Sequence, residues 1–295
     1  MTDSIMNGSA GTSQILAFVS VTALVTVVAA VRGVWSPCGL SMISAINPFT
    51  ERSRGNRYWL TAIWFVAGSV LGGAVLGALA AIGALLWGSV AASAPVSASA
   101  AAALTAGIAS VGCLVAAASD SSAFGLRLPG HPRQVNEQWL GLYRRWVYAC
   151  GFGVQIGVGF ATYIMTAAVY LTVLLGALSG SAALAFAIGL LFGLVRGLAV
   201  LLSSGARDPR ALRLLHRRLD LLAPWSLRAA MVVEAAGAAV LGYAAAGPVG
   251  LTLVAALLLL GAARSWRQQH QSAAVSGRQP DAVVVGAGHA ARGQA

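Results

Sequence analysis

The stretch "GVWSPCGLSMISAINPFTERSRG", residues 33–55, closes the first long apolar segment of the chain. Apolar residues run from Ile15 to Phe49, and a straight helix over them would measure about 50 Å, against about 30 Å for a hydrocarbon core. Pro37 removes a backbone hydrogen-bond donor inside this run. The stretch therefore predicts a first membrane span that is broken at Pro37 and ends at the arginine-rich "TERSRG".

Composition supports a membrane protein. Of 295 residues, 58% are hydrophobic and 9% are charged, whereas soluble domains carry about a quarter charged residues. The net charge is +11 and lysine is absent, so all 19 basic residues are arginines. They lie between apolar segments, which favours contact with membrane lipid over a nucleic-acid partner. The lack of lysine beside abundant alanine and glycine is typical of a bacterial protein. We predict an all-α, polytopic membrane helical bundle.

About seven apolar segments are candidate transmembrane helices. They cover 15–49, 59–88, 98–118, 147–177, 182–203, 226–245 and 248–263. The connections alternate between arginine-rich and uncharged without exception, which predicts an extracytoplasmic N-terminus and a cytoplasmic C-terminus in a bacterial inner membrane. A tight turn at Gly247-Pro248 joins the last two segments, so six spans with a re-entrant hairpin are the alternative.

Three regions lie outside the predicted spans. Residues 1–14 form a short extracytoplasmic N-terminus, and residues 268–295 a disordered cytoplasmic tail. The tail contains "VVVGAGHAARG" (283–293), but a dinucleotide site also needs a following helix and strand, so no cofactor is predicted. The segment "DPRALRLLHRRLDLLAPW" (208–225) places leucines among arginines. It predicts a helix lying on the inner leaflet, or else a solvated basic connection.

The fourth segment, 147–177, is also too long for one straight span, at about 45 Å. Its "GVGFATYIMT" (157–166) can be aligned with "GVWSPCGLSM" (33–42). Because three spans reverse the direction of entry, the pattern predicts a 3+3 inverted repeat, in which interrupted helices form a site at the midplane. Chance similarity of Gly/Ala-rich helices is the alternative. The transmembrane domain, 15–263, then comprises half one (15–118), half two (147–246) and an extra helix (248–263).

The "SPC" followed by Gly-Leu, late in the first span, and the glycine-rich fourth segment resemble the CcdA/DsbD transmembrane family. That family serves cytochrome c biogenesis and thiol–disulfide electron transport, within a superfamily that includes LysE- and TauE-type exporters. The resemblance covers roughly residues 15–246. It implies a cysteine in each half and a thioredoxin-like partner, with electrons passing by thiol–disulfide exchange. Cys38 matches the first cysteine, whereas Thr162 stands in the position of the second.

The chain has three cysteines and no CxxC. Cys150 could replace the missing partner of Cys38, although on straight helices their depths differ by about 10–15 Å and a disulfide needs Cα atoms within about 7 Å. A re-entrant hairpin at Pro37 would close that gap, so the Cys38–Cys150 pair remains an alternative. Cys113, deep in the third span, is interpreted as a small packing residue.

Two charges fall at matching depth in consecutive spans, Arg196 in the fifth and Glu234 in the sixth. A lone charge in a bilayer is costly and pairing is the usual remedy, so we predict an Arg196–Glu234 ion pair. It would act as a lock between helices or as a proton or anion relay. Arg32, before the break, would bind an anionic substrate, line the broken helix or reach headgroups.

Other residues at the breaks are candidates for the substrate path and the kink. Pro37, Thr162 and Tyr163 join Arg32 there, unless the hydroxyl groups only make ordinary hydrogen bonds between helices. Small residues four positions apart, Gly68/Gly72 and Gly189/Gly193, predict close helix packing. The four histidines are scattered, so no metal site is predicted.

Three functions are consistent with these observations. The first is transfer of reducing equivalents across the membrane through Cys38. The second is export of a small, anionic solute past Arg32 and the Arg196/Glu234 pair. The third is a non-transporting subunit that holds a partner through its basic loops. The sequence carries no hydrolase or transferase signature, and it predicts neither the substrate, the transport direction nor the oligomeric state.

Overall fold

The computed structural model describes residues 2–121, 139–161 and 164–276, and every regular element in these ranges is helical. This confirms the all-α fold class. The α-helices are α1 Thr2–Arg32, α2 Pro37–Ala45, α3 Pro48–Ser53, α4 Tyr58–Ser93, α5 Ala98–Asp120, α6 Trp139–Leu142, α7 Arg145–Val158, α8 Ala168–Leu178, α9 Ala182–Leu198 and α10 Pro209–Ser276. Two 3-10 turns, Gly33–Trp35 and Ala199–Gly205, extend α1 and α9.

Five helical segments of the described chain are long and apolar enough to cross a membrane. They are Thr12–Trp35, Tyr58–Ser93, Ala98–Asp120, Ala182–Gly205 and Pro209–Arg267. The protein is therefore a polytopic membrane protein. The predicted fourth span differs from these, because it consists of two shorter helices, α7 with 14 residues and α8 with 11.

Helix α10 folds back on itself at Ala246 and Gly247, whose backbone is non-helical. Gly247 has a φ of 59°, in the left-handed region that glycine tolerates. The two arms touch closely, since a Cβ added to Gly250 would lie 2.0 Å from the carbonyl oxygen of Gly242. The tight turn predicted at Gly247-Pro248 is present, and it forms a helical hairpin.

Helix α4 lies at the centre of the bundle, between α7 and α9. Its glycines allow the backbones to touch: a Cβ on Gly68 would lie 2.2 Å from the carbonyl oxygen of Cys150, and one on Gly73 would lie 2.4 Å from that of Gly189. In the same α4–α9 interface, a Cβ on Gly193 of α9 would lie 2.3 Å from Ser69 O. The predicted role of these glycines in close helix packing is confirmed.

The arginine-rich connections meet at one end of the bundle, which we call the arginine-rich end (residues 49–57, 144–148 and 203–218). There Phe49 N donates to Ala206 O at 3.3 Å, and Asn56 Nδ2 donates to Tyr148 Oη at 3.2 Å. The uncharged connections 94–97 and 179–181 lie at the opposite end, where Gly88 approaches Gly180. Consecutive long helices therefore run in alternating directions.

The basic segment 208–225 forms the start of α10 instead of a separate element. Leu219 is buried, with Leu212 and Leu215 packed in the same cluster, while Arg213 and Arg217 are exposed. The segment is helical, as the first interpretation predicts. Three of its leucines pack on the protein, whereas Leu214, Leu221 and Leu222 are exposed.

The two ends of the chain differ from the predicted boundaries. Helix α1 begins at Thr2, so residues 2–14, predicted as a short extracytoplasmic N-terminus, belong to a helix. Helix α10 continues to Ser276, which corrects the predicted disorder for residues 268–276. The remainder of the predicted tail, including 283–293, lies outside the described residues.

Candidate functional site at two helix breaks

The first span breaks between α1 and α2. Helix α1 ends at Arg32, and Ser36 is the N-cap of α2: its Oγ accepts from Gly39 N at 3.0 Å and donates to Gly33 O at 2.7 Å. Pro37 occupies the first helical position, where its missing N–H leaves no bond unmade. The break predicted at Pro37 is present, and the proline starts a new helix there.

The second break separates α7 from α8. Helix α7 ends at Val158, followed by Gly159 with a φ of 76°, and the described residues from there to Thr166 are not helical. When residues 33–42 are aligned with 157–166, α1 and α7 each end at the start of the aligned stretch. This agreement supports the inverted repeat.

Asp120, the last residue of α5, caps the start of α8. Its Oδ1 accepts from Ala167 N at 2.8 Å, and Thr166 Oγ1 donates to its Oδ2. A carboxylate at a helix N-terminus satisfies unpaired N–H groups and opposes the positive end of the helix dipole. Asp120 was not among the predicted site residues, because it falls at the edge of the third apolar segment.

Arg196 of α9 lies between the two breaks. Its side chain is 4% exposed, and its Nε donates to Ile156 O in the last turn of α7 at 3.0 Å. A Cβ on Gly33 would lie 1.0 Å from Arg196 Nη1, so only glycine leaves room for the guanidinium. The cation also lies 5.9 Å from the centre of the Phe192 ring. One arginine therefore contacts both interrupted helices.

The predicted Arg196–Glu234 ion pair is not formed. Arg196 turns towards α7, while both carboxylate oxygens of Glu234 are buried and have no hydrogen-bond partner among the described residues. The prediction assumed that consecutive helices are neighbours. In the structure α9 packs mainly on α4, α1 and α7, whereas α10 packs mainly on α5 and α1. Equal depth in a membrane does not bring two residues together when other helices lie between them.

Cys38 is the second residue of α2 and is 1% exposed. With Phe152 and Ile156 of α7 it lines a cavity of about 10 Å³, which is hardly larger than one water molecule. The Arg196 guanidinium lies within electrostatic range of the sulfur. The helix N-terminus and this cation both place positive potential at Cys38.

Cys150 lies on another face of α7. Residues 152 and 156 face Cys38, whereas Gly153 and Gly157 contact α4, and the backbone of Cys150 touches Gly68 of that same helix. No disulfide links the three cysteines, and this placement argues against Cys150 as the partner of Cys38. Cys113 lies in the apolar core, as expected of a packing residue.

Arg32 points into the protein and not towards headgroups. It is buried, and its Nη1 donates to Ser226 Oγ at 2.9 Å. Its buried Nε has no hydrogen-bond partner in the part of the chain that the structure describes. Asp120 lies within electrostatic range of it. The other two predicted path residues, Thr162 and Tyr163, lie outside the described residues. Within those residues, no three His, Cys, Asp or Glu side chains converge on a metal site.

A second buried carboxylate, Glu51, was missed by the sequence analysis. It is fully buried and accepts from Tyr148 Oη at 2.9 Å, Thr61 Oγ1 at 2.6 Å and Arg54 Nη1 at 3.0 Å. These bonds tie α3 to α4 and α7 at the arginine-rich end. In the sequence, Glu51 stands among the arginines of "TERSRGNR", which is a pattern typical of a solvated loop. The sequence offers one signal for Glu51: it is the only acidic residue of this stretch, and it directly follows the Asn47 capping box.

Fold and site thus define a polytopic helical membrane protein with two interrupted spans. No family model and no solved structure matches the chain. It is 29% identical over 159 residues to the methylamine utilization protein MauF of Paracoccus versutus. The match covers 52% of this chain and 54% of MauF, so the chain spans about half the length of the curated relative it matches.

Proposed function

We propose that the chain is a bacterial inner-membrane thiol–disulfide carrier of the CcdA/DsbD type, with Cys38 as its reacting thiol. The observation that carries this proposal is the position of Cys38: at the N-terminus of α2, inside the bundle, beside Arg196. The alternation of arginine-rich and uncharged connections supports a cytoplasmic arginine-rich end. A thioredoxin-like electron donor would approach from that side.

A single cysteine is sufficient if it acts as a relay instead of storing two electrons. The Cys38 thiolate attacks a disulfide of the acceptor, so that a mixed disulfide forms and one acceptor thiolate leaves. A donor thiolate then attacks the Cys38 sulfur, which releases the second acceptor thiolate. The second donor thiolate finally displaces Cys38 and closes the donor disulfide. The acceptor gains two electrons, the donor loses two, and Cys38 is regenerated.

Exchange at Cys38 requires a movement, because the cavity beside it is too small for a partner. Helix α2 is the element suited to move. It has nine residues, with a 3-10 turn and Ser36 before it and the Asn47 cap after it. Its own cap, Ser36, travels with it, so displacement from α7 leaves its first turn satisfied.

The direct test is trapping with a thioredoxin whose resolving cysteine is replaced by serine. Wild-type protein should form a mixed disulfide that Cys38→Ser abolishes and Cys150→Ser retains, because Cys150 faces α4. Peptide mass spectrometry would identify the linked cysteine. Absence of any adduct, or an adduct only at Cys113 or Cys150, would contradict the proposal.

The name of MauF, methylamine utilization protein, suggests the process that this carrier serves. We infer that the chain supports growth on methylamine through the thiol chemistry of Cys38. The test is complementation of a MauF-deleted Paracoccus versutus strain. Wild type and Cys150→Ser should restore growth on methylamine and Cys38→Ser should not, with membrane levels of each variant measured by immunoblot.

Arg196 favours a second candidate, passage of a small anion at the midplane. A buried guanidinium between two interrupted helices is typical of an anion site in an inverted-repeat transporter. If Cys38→Ser supports growth while Arg196→Lys does not, with equal protein levels, the anion exporter replaces the thiol carrier. If both variants support growth, the non-transporting subunit is the remaining function.

A further inference from the structure

Glu234 is the one charged side chain of the described residues whose terminal oxygens are both buried and unbonded. It lies in the first arm of α10 and is 1% exposed. An ionised carboxylate in such surroundings costs several kcal/mol unless it is paired or hydrogen-bonded. Neither compensation exists here, so the ionised form of Glu234 has no support.

The two buried glutamates differ sharply in their surroundings. Glu51 accepts hydrogen bonds from a tyrosine, a threonine and an arginine, and this donor set is suited to a negative charge. Glu234 receives none. Burial does not distinguish the two glutamates, because both side chains are at most 1% exposed. The number of hydrogen-bond donors around each carboxyl group distinguishes them.

The charges near Glu234 further disfavour its ionised form. In the described chain, the titratable groups within electrostatic range are Asp120 and Cys113 of α5, and neither is a cation. Arg32, at the end of α1, is within range of Asp120. Asp120 has two hydrogen bonds and the start of α8 to stabilise its charge. Of two neighbouring carboxyl groups, the one without donors takes the proton.

We propose that Glu234 is a proton-binding site within the membrane. Its carboxyl group is neutral in the closed bundle, and it loses a proton to water when the neighbouring helices separate. Binding converts a carboxylate and a proton into a carboxylic acid, so no other reactant is needed. The site is separate from Cys38, and its existence does not depend on the thiol chemistry proposed above.

A cleft lies beside Glu234, although Glu234 itself is not part of its lining. The cleft lies between α5 and the two arms of α10, has a volume of about 670 Å³, and is lined by mostly apolar side chains. Asp120, Met231 and Ala235 are part of its wall, and the last two lie one turn before and one residue after Glu234. Small movements of this wall would connect the carboxyl group with the cleft.

The test uses dicyclohexylcarbodiimide, an apolar reagent, on the full chain in membranes at neutral pH. A protonated carboxyl adds across a C=N bond of the reagent, and the O-acylisourea rearranges to a stable N-acylurea. Mass spectrometry should find this adduct on Glu234 and not on Glu51. The adduct should be lost in Glu234→Gln and kept in the matched control Glu51→Gln.

Infrared spectroscopy removes the dependence on reagent access. The difference spectrum between wild type and Glu234→Gln at neutral pH should contain the C=O stretch of a protonated carboxyl group, which a carboxylate lacks. Absence of that band overturns the proposal, whatever the reagent labels. Protection from the reagent by sodium or methylammonium at constant pH also overturns it, in favour of a site for that cation.

Discussion

The two helix breaks differ in which residues satisfy the backbone groups at their helix ends. At the first break the cap is local, since Ser36 alone binds Gly33 O and Gly39 N. At the second break both caps come from distant parts of the chain. Arg196, 40 residues after Ile156, satisfies the end of α7, and Asp120, 47 residues before Ala167, satisfies the start of α8.

This difference indicates which break can move. Helix α2 keeps its N-cap in any position, because the capping residue is adjacent in sequence. The ends of α7 and α8 keep their caps only while α5 and α9 stay in place. The second break is therefore a fixed part of the bundle, and the first is the adjustable one, where Cys38 lies.

The largest effect is expected from Arg196→Met, which removes the side chain that contacts both breaks. Ile156 O loses a charged donor, and a gap opens beside Gly33, so the free energy of unfolding should fall by about 3 kcal/mol. Denaturant unfolding in detergent micelles measures it. The exposed Arg213→Met serves as the control and should change little. An equal loss in both variants would show that Arg196 does not hold the breaks.

A somewhat smaller loss, of about 2 kcal/mol, is expected for Asp120→Ala, which removes both hydrogen bonds at the start of α8. Hydrogen exchange should accelerate at the amide of Ala167 and in the first turn of α8, and remain unchanged at Gly39. Exchange that accelerates equally at both breaks would mean that they are not capped independently.

Ser36→Ala tests the local cap and should cost about 1 kcal/mol. Faster hydrogen exchange should be confined to the first turn of α2, around Gly39. Ser53→Ala, an exposed serine in α3 with only a local bond to Thr50 O, is the matched control. If Ser36→Ala destabilised the protein as much as Asp120→Ala, the distinction between local and distant caps would fail.

The smallest effect is expected for Ser226→Ala, which removes the partner of Arg32 Nη1. This hydrogen bond is only partly buried, so water can replace the serine and the loss should be about 0.5 kcal/mol. This variant tests whether the first break also depends on α10. A second contact joins the two, because Trp35 Nε1 donates to Leu219 O of α10 at 2.8 Å. Unfolding measurements on the single variants and on Ser36→Ala/Ser226→Ala should give additive losses. A coupling of more than about 0.5 kcal/mol would show that the two contacts act as one.

Features with a local cause could be predicted from sequence. The break at Pro37 follows from the missing N–H of proline and the excessive length of the apolar run. The turn at Gly247 follows from a glycine beside a proline. Close packing at Gly68 and Gly189 follows from small residues at helical spacing. Each depends on the residue types, the spacing or the length of one segment, without reference to which helices become neighbours.

The pairing of buried charges could not be predicted in this way. Arg196 and Glu234 have matching depths in consecutive spans, yet α4, α7 and α5 lie around them and determine what each side chain meets. Glu51 resembles a loop residue until α3 folds against Thr61 and Tyr148. A polar side chain binds whatever the fold brings within about 3 Å, and sequence distance carries no information on that.

The sequence by itself determined that this chain is a helical membrane protein, where its first span breaks, and which cysteine lies at that break. These follow from hydrophobic length, proline geometry and glycine size, which act locally. Only the tertiary structure decided that Arg196 joins the two breaks, that Asp120 caps the second, and that Glu234 has no partner among the described residues. Those outcomes depend on which helices become neighbours, because a buried charge is stabilised only by groups that packing places in contact with it.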